Sequence, residues 1–280
     1  MNKEQIVALQ KAQLEIMDEI HRICVKHNIR YYLVGGTGIG AVRHQGFIPW
    51  DIDIDIAMLR SDYSEFKRIC EIELDPKYKY WDYHNTKNFT RPHALVSIKG
   101  TSLKTVFDKY NSREIDFGVF VDVLPLDNSP DNKQLQIKHG KRIKRIKMLQ
   151  IHKLATCYDQ SVLKKLVKEA RRAILFFISL DSLNKLLDDE MQKYDNQKTN
   201  YVCSMAGKYP YMTECVPLDF FGNPQLVEFE HREYFAPEKI RDYLAHIYGD
   251  FMKLPPLSEQ EASMSYFEEV QFIQKLPTNE

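Results

Sequence analysis

Residues 46–58 read GFIPWDIDIDIAM, with Asp51, Asp53 and Asp55 at every second position and Ile52, Ile54 and Ile56 between them. Successive side chains of a β-strand point to opposite faces, so this register makes one apolar face and one face of carboxylates alone. The apolar face needs a core, and the carboxylate face needs a counter-charge. A divalent cation is the first candidate, because Mg²⁺ or Mn²⁺ takes hard oxygen ligands and offsets their mutual repulsion. Residues i and i+2 of one strand lie ~6.5 Å apart, within reach of short carboxylate arms converging on an ion. Asp53 and Asp55 suit that role best. The alternative is an edge strand whose acidic side chains guard against edge-to-edge association. Asp is a poor strand former, and no Lys or Arg is interleaved, which weighs against that alternative. A calcium loop of the EF-hand type is excluded, since Ile56 stands where Gly is needed and Asp62 where Glu is needed.

Binding driven by overall charge is not expected. Lys plus Arg number 39 and Asp plus Glu number 39, so nucleic acid is not a predicted partner. A hydrophobic content of 44% over 280 residues is enough for a sizeable core. Charged residues interrupt the apolar pattern of the N-terminal stretch, and the longest apolar run, AILFFISL at 173–180, is far short of the ~20 residues a bilayer requires. Neither a secretory signal nor a membrane span is expected, and the cytoplasm is the expected location. The cysteines, Cys24, Cys70, Cys157, Cys203 and Cys215, include no C-x-x-C pair and read as free packing thiols. A zinc site on Cys203 and Cys215 with a remote His would lack diagnostic spacing.

Ile6, Leu9, Ile16, Ile20 and Ile23 predict an amphipathic helix over Lys3–His27. RYYLV at 30–34 reads as a strand that stops at Gly35-Gly36, where a short helix opens. Ser61 or Asp62 caps a helix through Cys70, and strands are expected at 77–84, 93–98 and 117–127, the last ending at Pro125. The stretch from 131 to 200 is helical in pattern. The last section is punctuated by Pro and aromatic residues, with a helix at 237–248. In KHGKRIKRIKMLQ (138–150), Lys138, Lys141, Arg142 and Arg145 are set apart from Ile143, Ile146 and Leu149. Such a helix can meet an anionic membrane through 138–147, at the inner face of the cell membrane, or simply present a solvated face.

Chemistry on phosphates needs a cradle as well as carboxylates. Gly35-Gly36-Thr37 sits at a strand-to-helix turn, where backbone amides and the helix dipole favour an anion. Arg43 and His44 follow, and Trp50 adjoins the acidic stretch. His44 reads either as a base or as a hydrogen-bonding, structural residue, and Trp50 either as a stacking or as a packing residue. A strand, a Gly-Gly turn into a short helix and a strand bearing Asp-x-Asp is the layout of the nucleotidyltransferase fold. That fold usually draws a third carboxylate from a later strand, for which Asp122 in VFVDVLP is the candidate. The expected fold class is α+β, a nucleotidyltransferase-like mixed β-sheet core with flanking helices and a helical insertion. Residues 1–130 would be the catalytic core, 131–200 the helical segment, and 201–280 a region completing the same domain.

Three blocks then resemble the LicD family of phosphocholine transferases. GGTGIGAVRHQGFIPWDIDIDI (35–56) is similar to the family's opening pattern, DVLPLD (122–127) to its second block, and FEHREYFAPEKIRDYLAHIYGDFMKLPP (229–256) to its C-terminal signature. Ile52 departs from the usual run of three aspartates, but a side chain there points away from Asp51 and Asp53. The resemblance implies transfer of a phospho-alcohol, typically phosphocholine from CDP-choline, to a hydroxyl of a cell-surface glycan such as lipopolysaccharide or of a teichoic acid precursor, releasing CMP. It further implies Mg²⁺ (or Mn²⁺) on Asp53, Asp55 and Asp122, phosphate contacts from Gly35, Gly36, Thr37 and Arg43, and a proton acceptor in Asp122 or Asp55. Relatives in the fukutin-related group look like ribitol-phosphate transferases, so CDP-ribitol or CDP-glycerol are alternative donors. Transfer of the nucleotide itself is a second alternative, and a non-catalytic membrane scaffold a third. For a choline headgroup, Trp81, Tyr83 and Phe89 are candidate cage residues.

Overall fold

The computed structural model describes residues 3–105, 115–154, 177–258, 260 and 267–272. Helix α1 (Lys3–His27) has the expected bounds, and its apolar face, including Leu9, Ile16, Met17, Ile20 and Ile23, is fully buried. Strand β1 (Tyr32–Leu33) leads into α2 (Gly35–His44), then β2 (Asp55–Leu59), α3 (Arg60–Glu73), β3 (Tyr78–Trp81), β4 (Ala94–Ile98), β5 (Thr101–Thr105) and β6 (Phe120–Ser129). There follow α4 (Lys133–Leu154), α5 (Leu180–Met191), β7 (Tyr201–Cys203), α6 (Tyr211–Glu214), β8 (Cys215–Pro217), β9 (Gln225–Phe229), β10 (Arg232–Ala236), α7 (Ile240–Tyr248) and β11 (Phe267–Phe272). Residues 155–176, and with them Cys157 and the first half of the apolar run at 173–180, lie outside the described residues.

The main sheet runs β1-β2-β6-β4-β3, with β7 and β8 continuing from β6. Strands β2 and β6 are parallel and the other pairs antiparallel, so the protein is a mixed α/β structure on a mixed sheet. Ile52, Ile54 and Ile56 enter the main core while Asp51, Asp53 and Asp55 remain half-buried on the other side, so the two-residue alternation holds. Regular strand structure starts only at Asp55, later than the sequence pattern suggests. The short β1 pairs only with Ile56 and Ala57, which leaves residues before Asp55 without a partner on that side. The Asp122 N–H still donates to the Ile54 carbonyl at 2.9 Å. From behind, α1 clamps this stretch: buried Gln13 donates to the Ile52 carbonyl at 3.0 Å, and Gln10 to the Asp51 carbonyl at 3.1 Å.

Strand β6 does not end at Pro125. Since the Asp122 N–H points towards β2, strand alternation aims the nitrogen of residue 125 at the opposite edge. There the β4 pairing stops at Val123 and the β7 pairing begins at Asp127. Proline therefore removes no ladder bond, and the strand runs on to Ser129. This continuation brings β7, β8 and the C-terminal third of the chain to the site.

Among the described residues, Cys24, Cys70, Cys203 and Cys215 are buried free thiols. Cys203 and Cys215 face each other across β7 and β8 inside an apolar cluster with Ile143, Ile146 and Leu187, so both are packing residues. No helix among the described residues is long and apolar enough to cross a membrane.

Candidate active site

Where β1 hands over to α2, the backbone turns through Gly35 at φ +61°. A Cβ at Gly35 would stand 2.9 Å from Asp55 Oδ2, and one at Gly36 would collide with Asp51 Oδ2. Both positions need glycine because carboxylates press directly on the turn. Thr37, buried beneath it, accepts the Asp55 N–H at 2.9 Å and ties the helix start to the acidic strand. The positive end of α2 thus faces Asp51 and Asp55, the favourable arrangement for negative charge.

Across the strand boundary, Asp55 and Asp122 are register partners on parallel β2 and β6. Burial, followed by repulsion from Asp51 and Asp55, pushes the Asp53 carboxyl well above its usual range. Burial and then repulsion from Asp122 do the same to Asp55. Asp51, also raised by burial, shares a side-chain hydrogen bond with Asp53. Asp122 behaves oppositely. Burial works against its charge, but Arg91 and His93 outweigh that and hold it below the ordinary carboxylate value. His93 Nε2 lies 2.7 Å, and an Arg91 guanidinium nitrogen 3.4 Å, from the same oxygen, Oδ1. Oδ2 is left without a bonded partner among the described residues, as is the buried His93 Nδ1.

These groups floor a cleft of about 860 Å³. Its further walls are Trp50 on one side and, from the C-terminal third, Lys208, Tyr209, Glu214, Tyr243 and Tyr248. Tyr209 and Tyr248 meet edge-to-face with centroids 5.6 Å apart. Glu214 is buried, accepts the Tyr209 N–H at 3.2 Å, and has its carboxyl pushed up to about 7 by burial. Arg91, His93, Lys208, Tyr209 and Glu214 were not among the expected site residues. His93 carried one readable signal, because it immediately precedes β4 and lies diagonal to Asp122 on the same face once β4 and β6 are paired.

Gly35, Gly36, Trp50, Asp53, Asp55 and Asp122 all line the cleft, and Thr37 supports it from below. Arg43 and His44 do not line it. The Arg43 guanidinium donates to the Phe251 carbonyl at 2.6 Å and to His44 at 2.9 Å, and it lies over the Trp50 ring. The two residues brace Trp50 and the C-terminal segment. The proposed cage residues are elsewhere too. Trp81 donates to Ser97 and packs on Phe117, while Tyr83 and Phe89 line a neighbouring cavity, on the far side of Arg91, Pro92 and His93 from the cleft floor, in which the Tyr83 hydroxyl donates to Asp188 at 2.8 Å.

Among the described residues, no three Asp, Glu, His or Cys side chains already stand at metal-ligand spacing. The donor set nevertheless fits a hard divalent cation. Asp53, Asp55 and the free Oδ2 of Asp122 are anionic oxygens in one cleft, and the repulsion among them is what such a charge would relieve.

Residues 28–157 match the family described as LicD/FKTN/FKRP, nucleotidyltransferase domain. Over 265 residues, 93% of this chain and 96% of the other, the chain is 27% identical to a lipopolysaccharide cholinephosphotransferase, LicD, of Haemophilus influenzae. An uncharacterized protein of Rickettsia prowazekii is 42% identical over 119 residues, 42% of this chain and 40% of its own length. One from Rickettsia typhi is 29% identical over 127 residues, 45% of this chain and 38% of its own length. The Gly-Gly turn set against the carboxylate strand lies inside the matched span, so residues 28–157 carry what is similar to a LicD-family domain.

Proposed function

We propose that this protein transfers phosphocholine from CDP-choline to a hydroxyl of a lipopolysaccharide-type cell-surface glycan, releasing CMP, with Mg²⁺ or Mn²⁺ held by Asp53, Asp55 and Asp122 on a nucleotidyltransferase-like core. The observation that carries the reading is the meeting of Asp55 and Asp122 in register beside the Gly35-Gly36 turn, at the floor of one cleft. The Haemophilus influenzae relative, aligned over nearly the whole chain, bears the name of a cholinephosphotransferase acting on lipopolysaccharide.

In the reaction the acceptor oxygen bonds to the choline-bearing phosphorus, the bond from that phosphorus to the bridging oxygen breaks, and CMP leaves. A bound divalent cation would supply charge neutralisation at the diphosphate. The chain's own residues position the rest. The opening amides of α2 face the phosphates. Asp122, kept anionic by Arg91 and His93, or Asp55 takes the proton of the attacking hydroxyl. Trp50, Tyr209 and Tyr248 offer ring faces to a quaternary ammonium, which accepts no hydrogen bond and is held by aromatic rings.

The test is a double label. CDP-choline marked in both the cytosine and the choline is incubated with the protein, Mg²⁺ and acceptor glycan. Choline label on the glycan and cytosine label in free CMP support the reading. Cytosine label on the product would make the protein a nucleotide transferase, and transfer from CDP-ribitol or CDP-glycerol alone would reassign the donor.

A further inference from the structure

Beside the acidic cleft lies a second concavity with different chemistry. Along α4, positions 137, 141, 144, 148 and 151 fall on one stripe of the helix. Its two ends are apolar, and Ile137, Met148 and Ile151 are 40%, 39% and 52% exposed. The facing ridge is Tyr209–Met212, in which Tyr209 and Met212 are each 39% exposed. Gly140 lets the two approach closely, since a Cβ there would stand 2.8 Å from Tyr211 Cβ. Between them is a groove of about 490 Å³.

Among the described residues, the charges lining this groove are of one sign: Lys141, Lys144 and Lys208 line it, and no acidic residue does. Among the described residues none of these three lysines is paired with a carboxylate. Their neighbours are already committed: Arg142 binds Glu190 at 2.6 Å, and Lys147 donates to the Met205 and Gly207 carbonyls at 3.1 and 2.8 Å. An apolar groove whose helix wall carries Lys141 and Lys144 between apolar ends, with Lys208 across from them, is the complement of an amphiphile with an apolar tail and an anionic head. A second copy of the chain fits less well, because it would bring lysine against lysine. The groove also runs into the cleft, with Ser204, Lys208 and Tyr209 lining both.

We propose that this groove seats the acyl chain of an anionic amphiphile at a membrane surface, with its phosphate against Lys141, Lys144 and Lys208 and its polar head directed to the acidic cleft. The protein then works on an acceptor presented at a lipid surface while the nucleotide-linked donor enters from water. The docking site does not depend on which donor is used.

The full-length chain is sedimented with vesicles of phosphatidylcholine alone and of phosphatidylcholine mixed with phosphatidylglycerol. Binding is expected only to the mixed vesicles. The double variant Lys141→Glu/Lys144→Glu should lower partitioning roughly tenfold or more. Ile137→Ser/Met148→Ser, which changes no charge, should weaken it several-fold, because the exposed apolar stripe is then lost. Both pairs are exposed, and unchanged thermal unfolding checks that the fold persists. CDP-choline binding by both variants should match the parent, which separates a failed docking site from a failed donor assignment. No binding of the parent to mixed vesicles overturns the proposal. So does full binding by Ile137→Ser/Met148→Ser, which would show a basic face without a groove, and so does concentration-dependent self-association abolished by those same substitutions.

Discussion

Asp55 and Asp122 stand directly opposite one another on neighbouring parallel strands, and Arg91, which bonds Asp122, offsets only part of the repulsion at Asp55. Strands in a sheet are ~4.8 Å apart, and like charges facing each other at that distance destabilise the pair. Asp55→Asn should therefore raise the melting temperature measured without metal by a few degrees, since ~1 kcal/mol corresponds to about 2–4 °C in a chain of this size. The same variant should lose transfer activity by ~10²-fold or more, as for the loss of one charge-stabilising group at a phosphoryl site. A stabilised protein that still transfers at the parent's rate would remove Asp55 from the site.

His93 positions Asp122. Replacing His93 with Ala leaves the buried carboxylate with the 3.4 Å Arg91 contact alone, and a buried acceptor that loses its donor costs about 1–3 kcal/mol. The transfer rate should fall with little change in donor KM. His93→Gln can still donate to Oδ1 and should recover most of the rate. Equal losses in both variants would mean that the imidazole acts on substrate itself.

The acid strand was legible because two-residue alternation is a local property: Ile52, Ile54 and Ile56 must go in, so the aspartates must face out. The role given to Arg43 from sequence ignored helix geometry. Eight residues of α-helix separate it from Gly35, a rise of ~12 Å, so a helix that opens at the cleft carries its last turn away from it. Trp81 was misplaced for a related reason. It lies on β3, and β4 stands between that strand and the carboxylate of β6. Lys208, Tyr209 and Glu214 had no local signal at all. They reach the cleft because β6 continues through Pro125 to pair with β7, a consequence of hydrogen-bond direction that no residue pattern announces.

A second buried charge cluster holds the helical segment to the sheet. Arg60, at the start of α3, binds both oxygens of fully buried Asp127 at 2.5 and 2.9 Å and reaches Asp188 of α5 at 3.0 Å. Arg60→Met takes the cation from Asp127 and Asp188, and from Asp195 at 3.9 Å, and should cost about 3–5 kcal/mol in urea unfolding. The pair Arg60→Met with Asp127→Leu should recover much of that loss, because the fully buried carboxylate is gone, Asp188 keeps its bonds from Tyr83 and Gln192, and Asp195 met Arg60 only at 3.9 Å. No recovery would place the damage in packing instead of charge.

Gly36→Ala inserts a Cβ into the Asp51 carboxylate, so the turn or the acid strand must shift. Thermal unfolding should drop by several degrees, and donor binding should weaken because the amides of the turn move with it. Gly38, whose nearest foreign atom would be 3.3 Å from an added Cβ, is the control, and Gly38→Ala should be milder. Equal effects would mean that helix packing, not the carboxylate contact, demands glycine here.

Glu214 gives the cleft a pH-dependent cost. Burial lifts its folded-state carboxyl to about 7 from an ordinary 4.5, against the opposing influence of the Tyr209 N–H and Lys147. At acid pH it is protonated in folded and unfolded chains alike, and the favourable contribution of the neutral form is fully present. Between about 4.5 and about 7 the unfolded chain releases its proton first, so stability falls with rising pH, by on the order of 3 kcal/mol in all. Above that window the loss is complete. Glu214→Gln keeps an acceptor for the Tyr209 N–H and never ionises. Its stability relative to the parent, measured by urea unfolding across this range, should rise with pH and level off above about 7. A difference that stays flat across the window would mean that Glu214 ionises in the cleft as readily as in water, and that its neighbours there are not the apolar and aromatic groups that enclose it.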